Sequence, residues 1–160
     1  IGTAVHTIDL ISFLMDSVPD RVYAEGKVFG ESKGTEGFPD GLVGTVLWKS
    51  GGLSTVISCD QGQNPYVSKW FCEVWDGERS AVLSAHISRV DFGGCDIETL
   101  ETDAVSEEDQ MKASMLANLV EAIEANGDTL CDARDAARTV ALCNALDRAA
   151  RTGKTQTVES

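Results

Sequence analysis

Leu42–Cys59, L-V-G-T-V-L-W-K-S-G-G-L-S-T-V-I-S-C, consists of two apolar runs divided by Ser50, Gly51 and Gly52. Leu42–Lys49 and Leu53–Cys59 both alternate with the two-residue period of a strand, and glycine accepts the positive φ that a tight turn demands, so the stretch reads as a β-hairpin. The alternation leaves neither face polar. Val46 and Trp48 point one way, and Leu47 with Ile57 across the turn point the other. A sheet with one wet face shows cleaner polar alternation. This hairpin is therefore expected to be covered on both sides, and the covers must come from elsewhere.

Outward from the hairpin, Arg21–Phe29 reads as a preceding strand, joined by the glycine-rich loop Gly30–Gly41. On the other side, Gln61–Ser68 is a polar loop. Lys69–Trp75 and Ser80–Phe92 form a second long hairpin, turned by Asp76, Gly77 and Glu78. That makes at least five largely sequential strands, hence an antiparallel, meander-like sheet. Gly93–Val105 is acidic connector with room for one short strand. Ser106 and Asp109 resemble a capping box, opening a helix whose stripe is Met111, Met115, Leu116, Leu119, Val120 and Ile123 and which stops at Asn126 and Gly127. A second helix, from about Asp132 to Arg151, is rich in alanine for close packing on a neighbour and ends at Thr152 and Gly153. Thr155–Val158 suits a closing strand. The expected fold is α+β: a predominantly antiparallel, open-faced sheet with helices packed on one face. Its other face, still apolar, is expected to meet a second copy in a dimer or tetramer.

The chain begins with G-T-A-V-H-T-I-D-L-I-S-F-L-M-D-S, Gly2–Ser17, a helix ended by Pro19. Thr3 is a candidate N-cap. His6 and Asp9 share one face, one turn apart, ahead of Leu10, Ile11, Phe13, Leu14 and Met15, a run apolar enough to be covered on more than one side. A helix starting almost at once after Ile1 reads as part of something longer.

Composition sets the class. Thirteen basic against 26 acidic residues give a net charge of -13, with the cations scattered, which argues against a nucleic-acid surface. No apolar run approaches the roughly 20 residues of a membrane span. The five cysteines, at 59, 72, 95, 131 and 143, lack metal-ligand spacing and read as reduced core thiols of a cytoplasmic protein.

Several motifs now converge: V-H-T-I-D-L at 5–10, the W-D-G turn at 75–77, A-N-L-V-E-A-I-E at 117–124, and D-A-R-D-A-A-R … A-L-D-R-A-A-R-T-G-K at 132–154. In this order, over nearly the whole chain, they resemble the C-terminal domain of the glucose-fructose oxidoreductase, inositol dehydrogenase and rhizopine-catabolism (Gfo/Idh/MocA) family. The resemblance implies a dihydrodipicolinate-reductase-like C-terminal domain, with residues 1–160 forming one substrate-binding and oligomerisation domain of a longer two-domain chain. It implies hydride transfer between NAD or NADP and a hydroxyl carbon of a sugar, sugar acid or cyclitol. The family's Rossmann half brings the dinucleotide and a lysine from a Glu-Lys-Pro motif. This sequence holds neither Glu-Lys-Pro nor a G-x-G-x-x-G after a strand, so no cofactor is expected on this segment alone.

His6 matches the family's histidine, which exchanges the proton of the reacting hydroxyl. Asp9 matches the acidic residue one turn on, expected to orient His6 or bond a backbone group. Thr3 stands where relatives contact substrate hydroxyls, though an N-cap explains it equally, and Tyr66 is either a ligand contact at the cleft mouth or an aromatic packed on the sheet. The family's aspartate four residues before the histidine falls at Gly2, which cannot act as an acid. That departure keeps open an alternative, a non-catalytic sheet-mediated dimerisation or sugar-sensing module. His86 reads as a mid-strand sheet residue, and Trp48, Trp70 and Trp75 as core or interface packing.

Overall fold

The computed structural model describes residues 4–29, 39–59, 70–102 and 104–159, with side chains left undescribed over 103–111. They divide into two compact units: Ile1–Gly62 with Cys131–Ser160, and Gln63–Leu130.

The first unit holds α1 (Ala4–Met15), β1 (Pro19–Lys27), β2 (Gly41–Trp48), β3 (Leu53–Cys59), α3 (Ala133–Thr152) and β8 (Gln156–Thr157). Its sheet runs β3-β2-β1-β8, all antiparallel. The β2–β3 hairpin has the expected bounds to within a residue, with Leu47 opposite Leu53 and Gly51 at φ 89° in the turn. The inner face carries Val22, Ala24, Leu42, Val46, Trp48 and Val56, buried under Ile8 and Ile11 of α1 and Leu142, Ala145, Leu146 and Ala149 of α3. Trp48 completes its burial by donating its indole N–H to Ser54 Oγ at 2.8 Å. The alanines of α3 do bring it close, and the neighbours they meet are β1 and α1. At Gly44 the approach is so tight that a Cβ would lie 2.7 Å from Leu146 Cδ2.

α3 is built as its sequence reads. Asp132 caps it, its carboxylate accepting from the Arg134 and Asp135 amides at 2.8 Å each, and Gly153 closes it in the left-handed conformation. α1 differs from expectation. It stops at Met15, where Asp16 takes φ 40°, and Pro19 instead opens β1. Among the described residues α1 is covered on one side: Ala4, Ile8 and Ile11 are buried, whereas Phe13 is 80% exposed. The outer sheet face, with Tyr23, Val43, Leu53 and Ile57, is exposed.

The second unit holds β4 (Cys72–Asp76), β5 (Arg79–Ser84), β6 (Arg89–Gly93), β7 (Leu100–Glu101) and α2 (Ala104–Ala125). Its sheet is the antiparallel meander β4-β5-β6-β7. The strands thus form two four-stranded sheets, where one continuous meander was expected. Arg89 stitches β6 to β7, ion-pairing with Asp91 at 2.7 Å and Glu101 at 2.5 Å, and Thr99 donates to Asp91 at 2.9 Å. Those partners lower the Asp91 carboxyl below its ordinary value, the Arg89 hydrogen bond most.

Ser80–Phe92 is not one strand. A 3-10 turn at Ala85–Ile87 folds it into β5 and β6, with Ala85, His86 and Ile87 all left-handed at φ 49°, 60° and 70°. His86 is therefore an exposed turn residue, outside any strand. α2 begins at Ala104, placing Ser106 inside the helix, beyond any capping position. Its expected core stripe is largely uncovered: Met115, Leu116, Leu119, Val120 and Ile123 are exposed, and Ala122 is its buried residue among those described. Trp75 is 71% exposed and Trp70 half-buried, so of the three tryptophans the core takes Trp48. The cysteines divide likewise. Cys143 is buried, Cys72 half-buried, and Cys59, Cys95 and Cys131 lie at the surface, where β3 ends and connectors run.

Candidate functional site

The polar start of α1 lies on the first unit. The helix period puts Ala4, Ile8 and Ile11 into the core and leaves His6 and Asp9 on the exposed side, three residues apart. His6 is the third residue of the helix as described. Asp9 reaches across to α3, where its Oδ1 accepts a hydrogen bond from Thr139 Oγ1 at 2.6 Å. Sequence reading expected Asp9 to orient His6 or bond a backbone group; the hydrogen bond found for it comes from a side chain 130 residues away.

Thr139 is 4% exposed and is the buried polar residue of the described core. It stands one turn before Cys143 on the face of α3 that also carries Leu142, Leu146 and Ala149. The charge of Asp9 is felt along that face. Burial first, and Asp9 besides, push the Cys143 thiol up from 9.0 to about 11. The Cys131 thiol, just before the cap of α3, is also raised, by desolvation, then by Asp135 and Asp9.

Thr139 was missed from sequence alone. Its signal was a hydroxyl in a stripe, 139, 142, 143, 146 and 149, otherwise filled by apolar residues and cysteine. The other candidates, Thr3 and Tyr66, lie outside the described residues.

The described strands do not form the parallel β-α-β unit of a Rossmann fold. Every strand pair among them is antiparallel, so none feeds a helix from a parallel strand. The start of α3, which would otherwise attract phosphate, is already occupied by the Asp132 carboxylate, held below its ordinary value by the Asp135 and Arg134 amides. Nor does any group of three or more His, Cys, Asp or Glu among the described residues suit a metal ion. No described helix is long and apolar enough to cross a membrane.

An antiparallel sheet open on one face, roofed on the other by two helices, with a histidine and a carboxylate at the start of the first, defines an α+β domain with its polar site on the helical layer. Residues 1–159 match the model described as "Oxidoreductase family, C-terminal alpha/beta domain". The chain belongs to the Gfo/Idh/MocA oxidoreductase family, as its C-terminal domain. The resemblance drawn from the motifs is confirmed.

Solved structures agree in fold. Levoglucosan dehydrogenase, in complex with NADH and levoglucosan, is 17% identical with a TM-score of 0.79, covering 98% of this chain and 49% of its own. The WlbA dehydrogenase from Bordetella pertussis, in complex with NADH and UDP-GlcNAcA, is 16% identical with a TM-score of 0.73, over 99% of this chain and 44% of its own. Aldose-aldose oxidoreductase from Caulobacter crescentus, complexed with glycerol, is 18% identical with a TM-score of 0.74, over 96% and 45%. The chain thus spans about half the length of these proteins. No curated protein matches it in sequence.

Proposed function

We propose that this domain is the substrate-binding and self-associating half of a cytoplasmic oxidoreductase that moves hydride between NAD or NADP and a hydroxyl carbon of a sugar, sugar acid or cyclitol. The observation that carries the reading is His6, exposed on α1 one turn from an Asp9 carboxylate anchored to α3. A neutral imidazole so placed takes the hydroxyl proton as the carbonyl forms, and returns it in reduction. Asp9 orients His6, and Thr3 and Tyr66 contact substrate hydroxyls. The neighbours solved with NADH, and with levoglucosan or UDP-GlcNAcA, support the cofactor and the substrate class. The dinucleotide belongs to the remainder of the longer protein, where its nicotinamide exchanges the hydride; this segment by itself holds none. The open sheet face pairs two copies.

A second reading rests on Gly2, which stands where the family has an aspartate: a sugar-sensing or dimerisation module that keeps the fold without the chemistry. His6→Ala in the whole protein separates the two. A dehydrogenase loses about 100-fold or more in kcat, with dinucleotide reduction followed by absorbance. Unchanged turnover sinks the assignment of His6, and no dinucleotide-dependent turnover in the wild type favours the module.

A further inference from the structure

A hydroxyl enclosed in a core is costly unless its proton is donated. Thr139, 4% exposed, donates to Asp9 at 2.6 Å, a length typical of a hydroxyl bonded to a carboxylate. The apolar stripe of α3 has no packing need for a hydroxyl at this position; valine would fill the same volume. Asp9 is a short side chain on an exposed helix face and has rotamers to choose from. The bond from Thr139 selects one of them, and it ties the α1 turn bearing His6 to the most buried helix of the unit. Side chains three apart on a helix are neighbours, so what fixes Asp9 bears on His6.

We infer that Thr139 is a positioning residue: its hydrogen bond holds the Asp9 carboxylate in one orientation beside His6, and through it the imidazole. The inference rests on the reading of His6 as the proton-exchanging group.

The test uses the whole protein carrying 15N-histidine, with Thr139→Val, which keeps the shape, and Thr139→Ser, which keeps the hydroxyl. The His6 ring signals are identified by their loss in His6→Ala. Thr139→Val is expected to move those signals and lower kcat about tenfold, with KM changed by less than about twofold. Thr139→Ser is expected to restore both. Thr139→Ala gives the same comparison if the valine variant does not fold. Unmoved ring signals in a folded variant lacking the hydroxyl overturn the inference, as does a serine variant that behaves like valine. The two failures are separable. If the ring moves with Thr139→Val but even His6→Ala leaves turnover intact, positioning holds and the dehydrogenase reading of His6 falls. If His6→Ala abolishes turnover while Thr139→Val changes neither signals nor kcat, the reading stands and Thr139 is a packing residue.

Discussion

A thiol enclosed in the first unit's core has little water to stabilise its anion, and Asp9 adds negative charge; Cys143 accordingly titrates near pH 11 in place of 9.0. The raised value means that the folded state resists ionisation that the unfolded chain accepts. This contribution to stability is complete below pH 9 and disappears as pH rises toward 11. Unfolding free energy is expected to fall by roughly 2–3 kcal/mol across that window, and urea titrations of Cys143→Ala should lack this part of the slope. Equal slopes for both proteins would show that the thiol is better hydrated than its 7% exposure implies. At this scale sequence reading worked where partners are local. His6 and Asp9 were found together because three residues separate them. Thr139 could not be paired with Asp9, because nothing local specifies which residues of α1 and α3 meet.

Elements were legible where backbone chemistry announces itself. Gly51 in the first hairpin, Asp132 and Gly153 around α3, and Asp76–Gly77 before β5 all mark real boundaries. The turn at Ala85–Ile87 was invisible because alanine, histidine and isoleucine carry no turn signal. Each residue there sits in the left-handed region, which costs a residue with a Cβ roughly 1–2 kcal/mol. Ala85→Gly is therefore expected to stabilise the protein, by about 1 kcal/mol after the added freedom of the unfolded chain is subtracted. Thermal unfolding reads this out; a lower melting temperature would show that the turn draws on contacts of the alanine methyl. The stripe of α2 teaches the complementary lesson. Helical periodicity correctly announced a helix over these residues but not how much of its apolar face would be covered.

For the molecule, the informative asymmetry is between the two faces of the first sheet. One is closed by α1 and α3. The other presents Val43 opposite Ile57, at 52% and 74% exposure, with Leu53 at 66%. If that face joins two copies as proposed, the whole protein should scatter light as a dimer or tetramer at micromolar concentration, and Ile57→Lys should reduce the mass. A monomeric wild type would count against the sheet as an interface. Alternation of apolar residues on both sides of the hairpin had pointed to two covered faces; among the described residues of the first unit, α1 and α3 cover one.

The first unit is assembled from both ends of the sequence, Ile1–Gly62 and Cys131–Ser160, with the second unit inserted between them. During synthesis β1, β2 and β3 leave the ribosome long before α3. At roughly 5–20 residues per second, the ~70 residues that separate β3 from α3 take on the order of 4–15 s to make. Throughout that interval Val22, Ala24, Val46 and Val56 have no α3 above them. A nascent sheet in this state carries an open apolar face until the last helix emerges to cover it.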